Sequence, residues 1–194
     1  MQIDEVSKLI AKRRSIKPAT MDADREISHE LWQKLFEAAN WAPNHRLTEP
    51  WRFTVFAGDA RKEVGEALQV AYKEATPESE FQEIKYEKMA KNPFMAHAVV
   101  AIVMERDPKE SVPEVEEVAA VASAVQNLHL AASSVGLGVF WSSPPATYAE
   151  SFANFLGLKE GSRCLGLLYV GWPKEGTTWP TRKGSDAMAK VVFK

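Results

Sequence analysis

Three cations and a hydroxyl stand together in Arg13-Arg14-Ser15-Ile16-Lys17, at the end of a segment with helical apolar spacing. Guanidinium groups hold phosphate and carboxylate through charge-assisted, often bidentate hydrogen bonds, so this cluster has the chemistry of an anion grip. Farther along, Trp41-Ala42-Pro43-Asn44-His45-Arg46-Leu47-Thr48-Glu49-Pro50-Trp51-Arg52-Phe53 makes an aromatic, proline-bounded loop that runs into a strand. A rigid loop of this kind offers a pocket for a flat ring. Taken singly, each piece has a plainer reading: the cations as partners of a helix C-terminal dipole, Trp51 and Phe53 as core. Their joint occurrence points to a ligand with both an anionic group and a ring.

Other chemistries lack their residues. Gly136-Leu137-Gly138 follows a helix instead of opening one, which fails the dinucleotide fingerprint in spacing and context, and there is no Walker loop. His29, His45, His97 and His129 are scattered, none at ligand spacing from another His or Cys, so no metal is expected. His129 lies on an apolar helix and reads as a core histidine. Ser142-Ser143 lacks the glycine frame of a nucleophile elbow. Cys164 sits in the strand-like run Arg163 to Val170, where a buried, inert thiol is expected.

The elements that must position these residues can be read from periodicity. The chain has 194 residues, 45% of them hydrophobic, enough for one domain spanning 1–194 with a substantial core. Its net charge of -2, from 24 basic and 26 acidic residues, gives no general attraction to nucleic acid or an acidic membrane, so an anion site must be local. No secretory signal pattern is visible at the N-terminus, the longest apolar run (94–104) falls short of the roughly 20 residues of a membrane span, and a lone cysteine forms no internal disulfide. A cytoplasmic protein is expected.

Residues 4–13 predict a helix closed by Pro18, and Ser28 caps a second helix that ends at Ala42-Pro43. A strand follows at 51–57, then a helix after Gly58-Asp59, and a charged, exposed excursion at 73–97 that is helical in places. Residues 98–104 predict a buried strand, and 107–113 a polar turn. The segment 114–135 predicts a long helix, apolar nearly all round and therefore buried. Short strands at 139–141 and 164–170 flank a helix at 148–155. The polar tail 174–190 ends in Val191-Val192-Phe193, read as a strand added to a sheet, a partner chain's sheet included.

In order and spacing these segments resemble the FMN-dependent nitroreductase superfamily, whose members open with R-[RH]-S-x-[RK] and continue with an A-P-[SN]-x-x-N-x-Q-P-W-x-F loop. The compact members with a His in that loop are the most similar, and the resemblance runs from about residue 6 to 193. It implies that Arg13, Ser15 and Lys17, with Arg14 alongside, grip the FMN phosphate and ribityl chain, and that Arg182 or Lys183 adds a second cation. Trp41 and His45 stand where relatives contact the flavin. Leu47 replaces an Asn common in relatives and Glu49 a Gln, so the amide donor to the flavin pyrimidine edge is missing at that position. Gly136 to Ser143 matches the family's G-L-G-x-x-W-[IS]-[GS], with Phe140 and Trp141 near the ring and Ser142 or Ser143 supplying a backbone N–H toward flavin N5.

The fold implied is an α+β sandwich, a mostly antiparallel sheet flanked by helices, in a homodimer with FMN at the interface. The activity implied is ping-pong reduction of a small-molecule acceptor, a nitroaromatic, quinone or related electrophile, by NADH or NADPH. The alternatives are a flavin reductase with a dedicated substrate, of dehalogenase or enoyl-reductase type, and a flavin-binding protein without turnover.

Overall fold

The computed structural model describes residues 2–194. The N-terminal helix α1 (Ile3–Lys12) stops where Arg13 turns to extended backbone. Segment 13–17 then runs beside the sheet: Ser15 forms a parallel bridge with Val139, and the Ile16 N–H donates to the Val139 carbonyl at 3.1 Å. After the two-residue strand β1 (Met21–Asp22), α2 (His29–Asn40) starts on a Ser28 cap whose Oγ accepts the Leu31 N–H.

Strand β2 (Trp51–Ala57) pairs antiparallel with β3 (Ala98–Met104), and β3 pairs antiparallel with β5 (Arg163–Pro173). On its other side β5 takes β4 (Gly138–Ser142), and its end pairs with β1. The five strands therefore all pair antiparallel, with β5 at the centre of the sheet. Both faces are covered, which is why every residue of β3 is buried. Side-chain alternation sends Val100, Ile102, Met104, Val139 and Leu168 toward α2 and the long helix α5 (Glu114–Ser134). Phe56, Val99, Ala101, Leu167 and Tyr169 face the other layer, built on α3 (Ala60–Ala75) and α6 (Glu150–Phe155).

Three expectations are modified. Segment 73–97 is helical in places, as expected, but not a plain exposed excursion: its helix α4 (Glu83–Lys91) packs on α3 so closely that a Cβ at Gly65 would lie 2.9 Å from the Ala90 carbonyl oxygen. Its place is fixed by that backbone approach and by the tilted Tyr72–Phe81–Tyr86 rings. Helix α5 is buried along one stripe only, Glu117, Ala120, Val121, Ala124, Val125, Leu128, His129 and Ala132, while Val115 is 72% exposed. The small residues between leave its outer face uncovered within one chain. The C-terminal Val191-Val192-Phe193 does not pair with the chain's own sheet, and all three side chains are exposed. Among the described residues, no helix is long and apolar enough to cross a membrane.

Candidate functional site

The cation cluster is assembled by the chain ends. Arg13 caps α1, its N–H bonded to the Leu9 carbonyl, and its guanidinium is partly buried. Burial, then Arg14, then Arg182 all lower its pKa. Three guanidinium groups thus share one field, the disposition expected of an anion site. Arg14 has a further task. Its Nε donates to the Pro180 carbonyl at 2.9 Å, and its Nη1 donates to the carbonyls of Ala11 and Arg13 at 2.6 and 2.7 Å. It ties the C-terminal tail to the end of α1, which is how Arg182 reaches Arg13. Ser15 and Lys17 lie exposed on the same segment, and Lys183 is exposed on the tail.

His129 fixes this segment from below. It is 6% exposed, and its Nε2 lies 3.2 Å from the Arg14 carbonyl, so an N–H there donates to it. Burial, and secondarily Arg13, pushes its pKa down to about 4, against the pull of backbone hydrogen bonds to Arg14 and Val139. The imidazole is neutral at physiological pH. The core reading of this residue holds, and sequence gave no sign that it would brace the cation segment.

Strand β4 brings the Trp141–Ser143 corner to the same layer. The Trp141 indole N–H donates to the Leu165 carbonyl at 3.0 Å, and its ring packs on the α5 side of the sheet, whereas Phe140 packs on the α3 side. The corner closes over Gly166, whose φ of +125° is open to glycine alone: a Cβ there would stand 2.7 Å from both the Ser142 carbonyl oxygen and Trp141 Nε1. Ser142 is half-buried and Ser143 exposed.

The aromatic loop lies elsewhere. Arg46, Leu47 and Glu49 all have positive φ, 55°, 55° and 42°, which side chains with a Cβ seldom adopt. Asn44 holds the turn by accepting the Glu49 N–H at 3.0 Å, and the Arg52 guanidinium donates to the Glu49 carbonyl at 2.8 Å. The strained turn presents Trp41 and Leu47 to solvent, 81% and 80% exposed. His45 Nδ1 lies 2.6 Å from Glu116 Oε2, in the first turn of α5. A carboxylate oxygen accepts, so a proton on Nδ1 donates to it. Glu116 was not foreseen as a partner.

Neither was Glu117, whose side chain is 1% exposed in the acidic first turn of α5. It bonds the Arg106 guanidinium and accepts the Asp107 N–H at 3.1 Å. The available signal was its place one turn before Ala120 and Val121 on the buried stripe.

Within one chain, then, the predicted site residues form two groups. Arg13, Arg14 and Ser15 lie on the segment that His129 braces, with Arg182 in the cleft beside Arg14 and Trp141–Ser143 on the strand bridged to Ser15; Trp41, His45 and Glu49 belong to the loop that meets Glu116 through His45. The rise of α5 between Glu116 and His129 is roughly 20 Å.

This sequence and this fold match known proteins. A model of the Nitroreductase family matches residues 10–172. The chain belongs to the nitroreductase family. Its relatives include YfhC of Bacillus subtilis (strain 168), which carries an NAD(P)H nitroreductase name and is 27% identical over 168 residues, 86% of this chain and 84% of its own. YdjA of Escherichia coli (strain K12), similarly named, is 26% identical over 166 residues, 86% of this chain and 87% of its own. Among solved structures, a nitroreductase-like family protein from Bacillus cereus superposes with a TM-score of 0.82 at 26% identity, covering 100% of this chain and 98% of that one. A protein from Desulfovibrio desulfuricans solved in complex with FMN shares the nitroreductase fold, with a TM-score of 0.69 at 23% identity over 97% and 95% of the two chains. The α+β sandwich expected from the motifs is thus the fold of the family, and the family is one of oxidoreductases.

Proposed function

We propose that this protein is an FMN-dependent NAD(P)H oxidoreductase that reduces nitroaromatics, quinones or related conjugated electrophiles. The observation that carries the reading is the meeting of Arg14 and Arg182, from opposite ends of the chain, in one cleft next to Arg13, with none of the three ion-paired among the described residues. That donor set suits a phosphate monoester, for which cations without carboxylate partners are the favourable surroundings. When bound, FMN supplies hydride transfer at N5, and the protein's part is to hold the ring, tune it and leave one face open. Arg13, with Ser15, Lys17 and Arg182 or Lys183, would hold the phosphate and ribityl chain. Trp41, His45 and the corner Trp141–Ser143 would border the ring. Glu49 has its backbone N–H and carbonyl engaged in the turn and carries a carboxylate where an amide would donate, so any donation to the ring's pyrimidine edge falls to other groups.

The separation of the two groups by the length of α5 favours a site built from two chains. In a two-fold pairing with α5 helices antiparallel, the loop of one chain meets the cation segment of its partner. The uncovered apolar residues support this: Ile3, Val6 and Ile10 on α1, Val115 on α5, and Trp41 and Leu47 in the loop, with α1 and the loop both touching α5.

The test is the absorption spectrum of the protein as isolated, followed by anaerobic titration with NADH and NADPH. A yellow protein bleached by a nicotinamide and recoloured by a quinone is expected. Because donor and acceptor would use one open face in turn, double-reciprocal plots at several acceptor concentrations should be parallel. Intersecting lines with a ternary complex would rule out the shared face, and a yellow protein that neither nicotinamide bleaches would rule out turnover.

A further inference from the structure

More positive charge is gathered beside the tail than one phosphate uses. A cleft of about 610 Å³ lies between α1 and the tail, lined by Lys8, Lys12, Arg14 and Arg182 together with Trp179 and Pro180. It adjoins a second cleft of about 460 Å³, where Lys12 and Trp179 meet Ser133, Ser134 and Gly136 at the end of α5. With Arg13, which shares the field of Arg14 and Arg182, the cations number five, and among the described residues none of them is ion-paired.

Part of that charge has a plain use. The C-termini of α1 and α5 each present about half a negative charge, and a phosphate monoester carries about -1.5 to -2 at neutral pH. Together these offset about three of the five charges and leave a surplus of about two, with Lys8 and Lys12 on α1, outside segment 13–17. In a chain whose net charge is -2, so local an excess marks a second anionic group. The half-buried Trp179 indole between the clefts adds a face for a flat base.

We infer that this double cleft binds the phosphorylated adenosine end of NADPH, Lys8 and Lys12 taking the 2′-phosphate and Trp179 the adenine, so that the protein uses NADPH in preference to NADH. The inference rests on the proposed nicotinamide-driven reading. Of the two nicotinamide donors, only NADPH brings an extra phosphomonoester on its adenosine. Coenzyme A carries related chemistry, a 3′-phosphate on adenosine, and the test separates the two.

Binding of adenosine 2′,5′-bisphosphate, adenosine 3′,5′-bisphosphate and 5′-AMP to the FMN-loaded protein is measured by calorimetry. Loss of a hydrogen bond to a charged group corresponds to roughly ten-fold or more in affinity, so the 2′,5′-bisphosphate should bind at least about ten-fold tighter than 5′-AMP. The double variant Lys8→Ala/Lys12→Ala should erase that difference, and with it the difference in kcat/KM between NADPH and NADH. Both lysines are exposed on α1 and alanine is the better helix former, so the variant should fold. Trp179→Leu should weaken 5′-AMP and the 2′,5′-bisphosphate alike. Equal affinities for 5′-AMP and the 2′,5′-bisphosphate in the wild type, or tighter binding of the 3′,5′-bisphosphate, would overturn the assignment. Either result leaves FMN reduction intact, whereas a protein that is never reduced by a nicotinamide fails at the earlier step.

Discussion

At the scale of single residues, Arg13 and Arg14 are neighbours in sequence with different tasks. Arg14 spends its donors on three backbone carbonyls, while Arg13 keeps its guanidinium in a field of like charges. Arg13→Ala should therefore weaken FMN binding roughly ten- to hundred-fold, the equivalent of about 1.5 to 3 kcal/mol, measured by fluorescence titration of the apoprotein. Arg13→Lys should recover only part of it, because lysine keeps the charge and lacks the planar fork. Unchanged affinity in a folded Arg13→Ala protein would mean that the phosphate sits elsewhere. The motif made Arg13 and Ser15 legible in the sequence. It could not reveal Arg14's bond to Pro180, since that depends on the tail returning from the far end of the chain.

At the scale of elements, two contacts hold the site's scaffold. Gly166 lets β5 pass beneath the Trp141–Ser143 corner, and Gly166→Ala would place a methyl group against two polar atoms at an unfavourable φ. It should cost more than about 1 kcal/mol, seen as a lowered melting temperature, and should reduce FMN retention with it. A variant that melts like the wild type would show that the corner has room to shift. The other contact is His129 against segment 13–15. With its pKa near 4 in the fold against about 6.5 when unfolded, the unfolded chain binds the proton more readily between those values. Stability is thus full above about pH 6.5 and falls as pH drops toward 4, by roughly 3 kcal/mol from this residue. Chemical denaturation at pH 7.5 and 4.5 should show the loss, and His129→Gln should flatten it. An equal loss in that variant would assign the acid sensitivity to other groups.

For the whole molecule, the apolar surface that one chain leaves open and the separation of the two residue groups have the same explanation under the two-chain reading. Val192 and Phe193 are 79% and 83% exposed at the end of a polar tail, which an interface with a partner would cover. Deleting residues 188–194 should weaken the dimer and lower FMN retention together, because a ligand held across an interface stabilises the assembled state by mass action. Sedimentation and flavin absorbance of the same sample test this. A monomer holding stoichiometric FMN would show that each chain carries a complete site.

The elements themselves were written locally. The apolar run of β3, the Ser28 cap and the period of α5 are short-range signals, and each produced the element it predicts. Tertiary structure decided what depends on distant partners. It buried Glu117 by bringing Arg106 and the Asp107 N–H to it, and gave His45 the Glu116 carboxylate. It set Arg182 in one cleft with Arg14, and it put the loop against the first turn of α5 and the cation segment against His129, toward the other end of that helix. Periodicity reports which residues share a face. Only the packed chain fixes which faces meet, because burial and charge pairing are properties of neighbours in space.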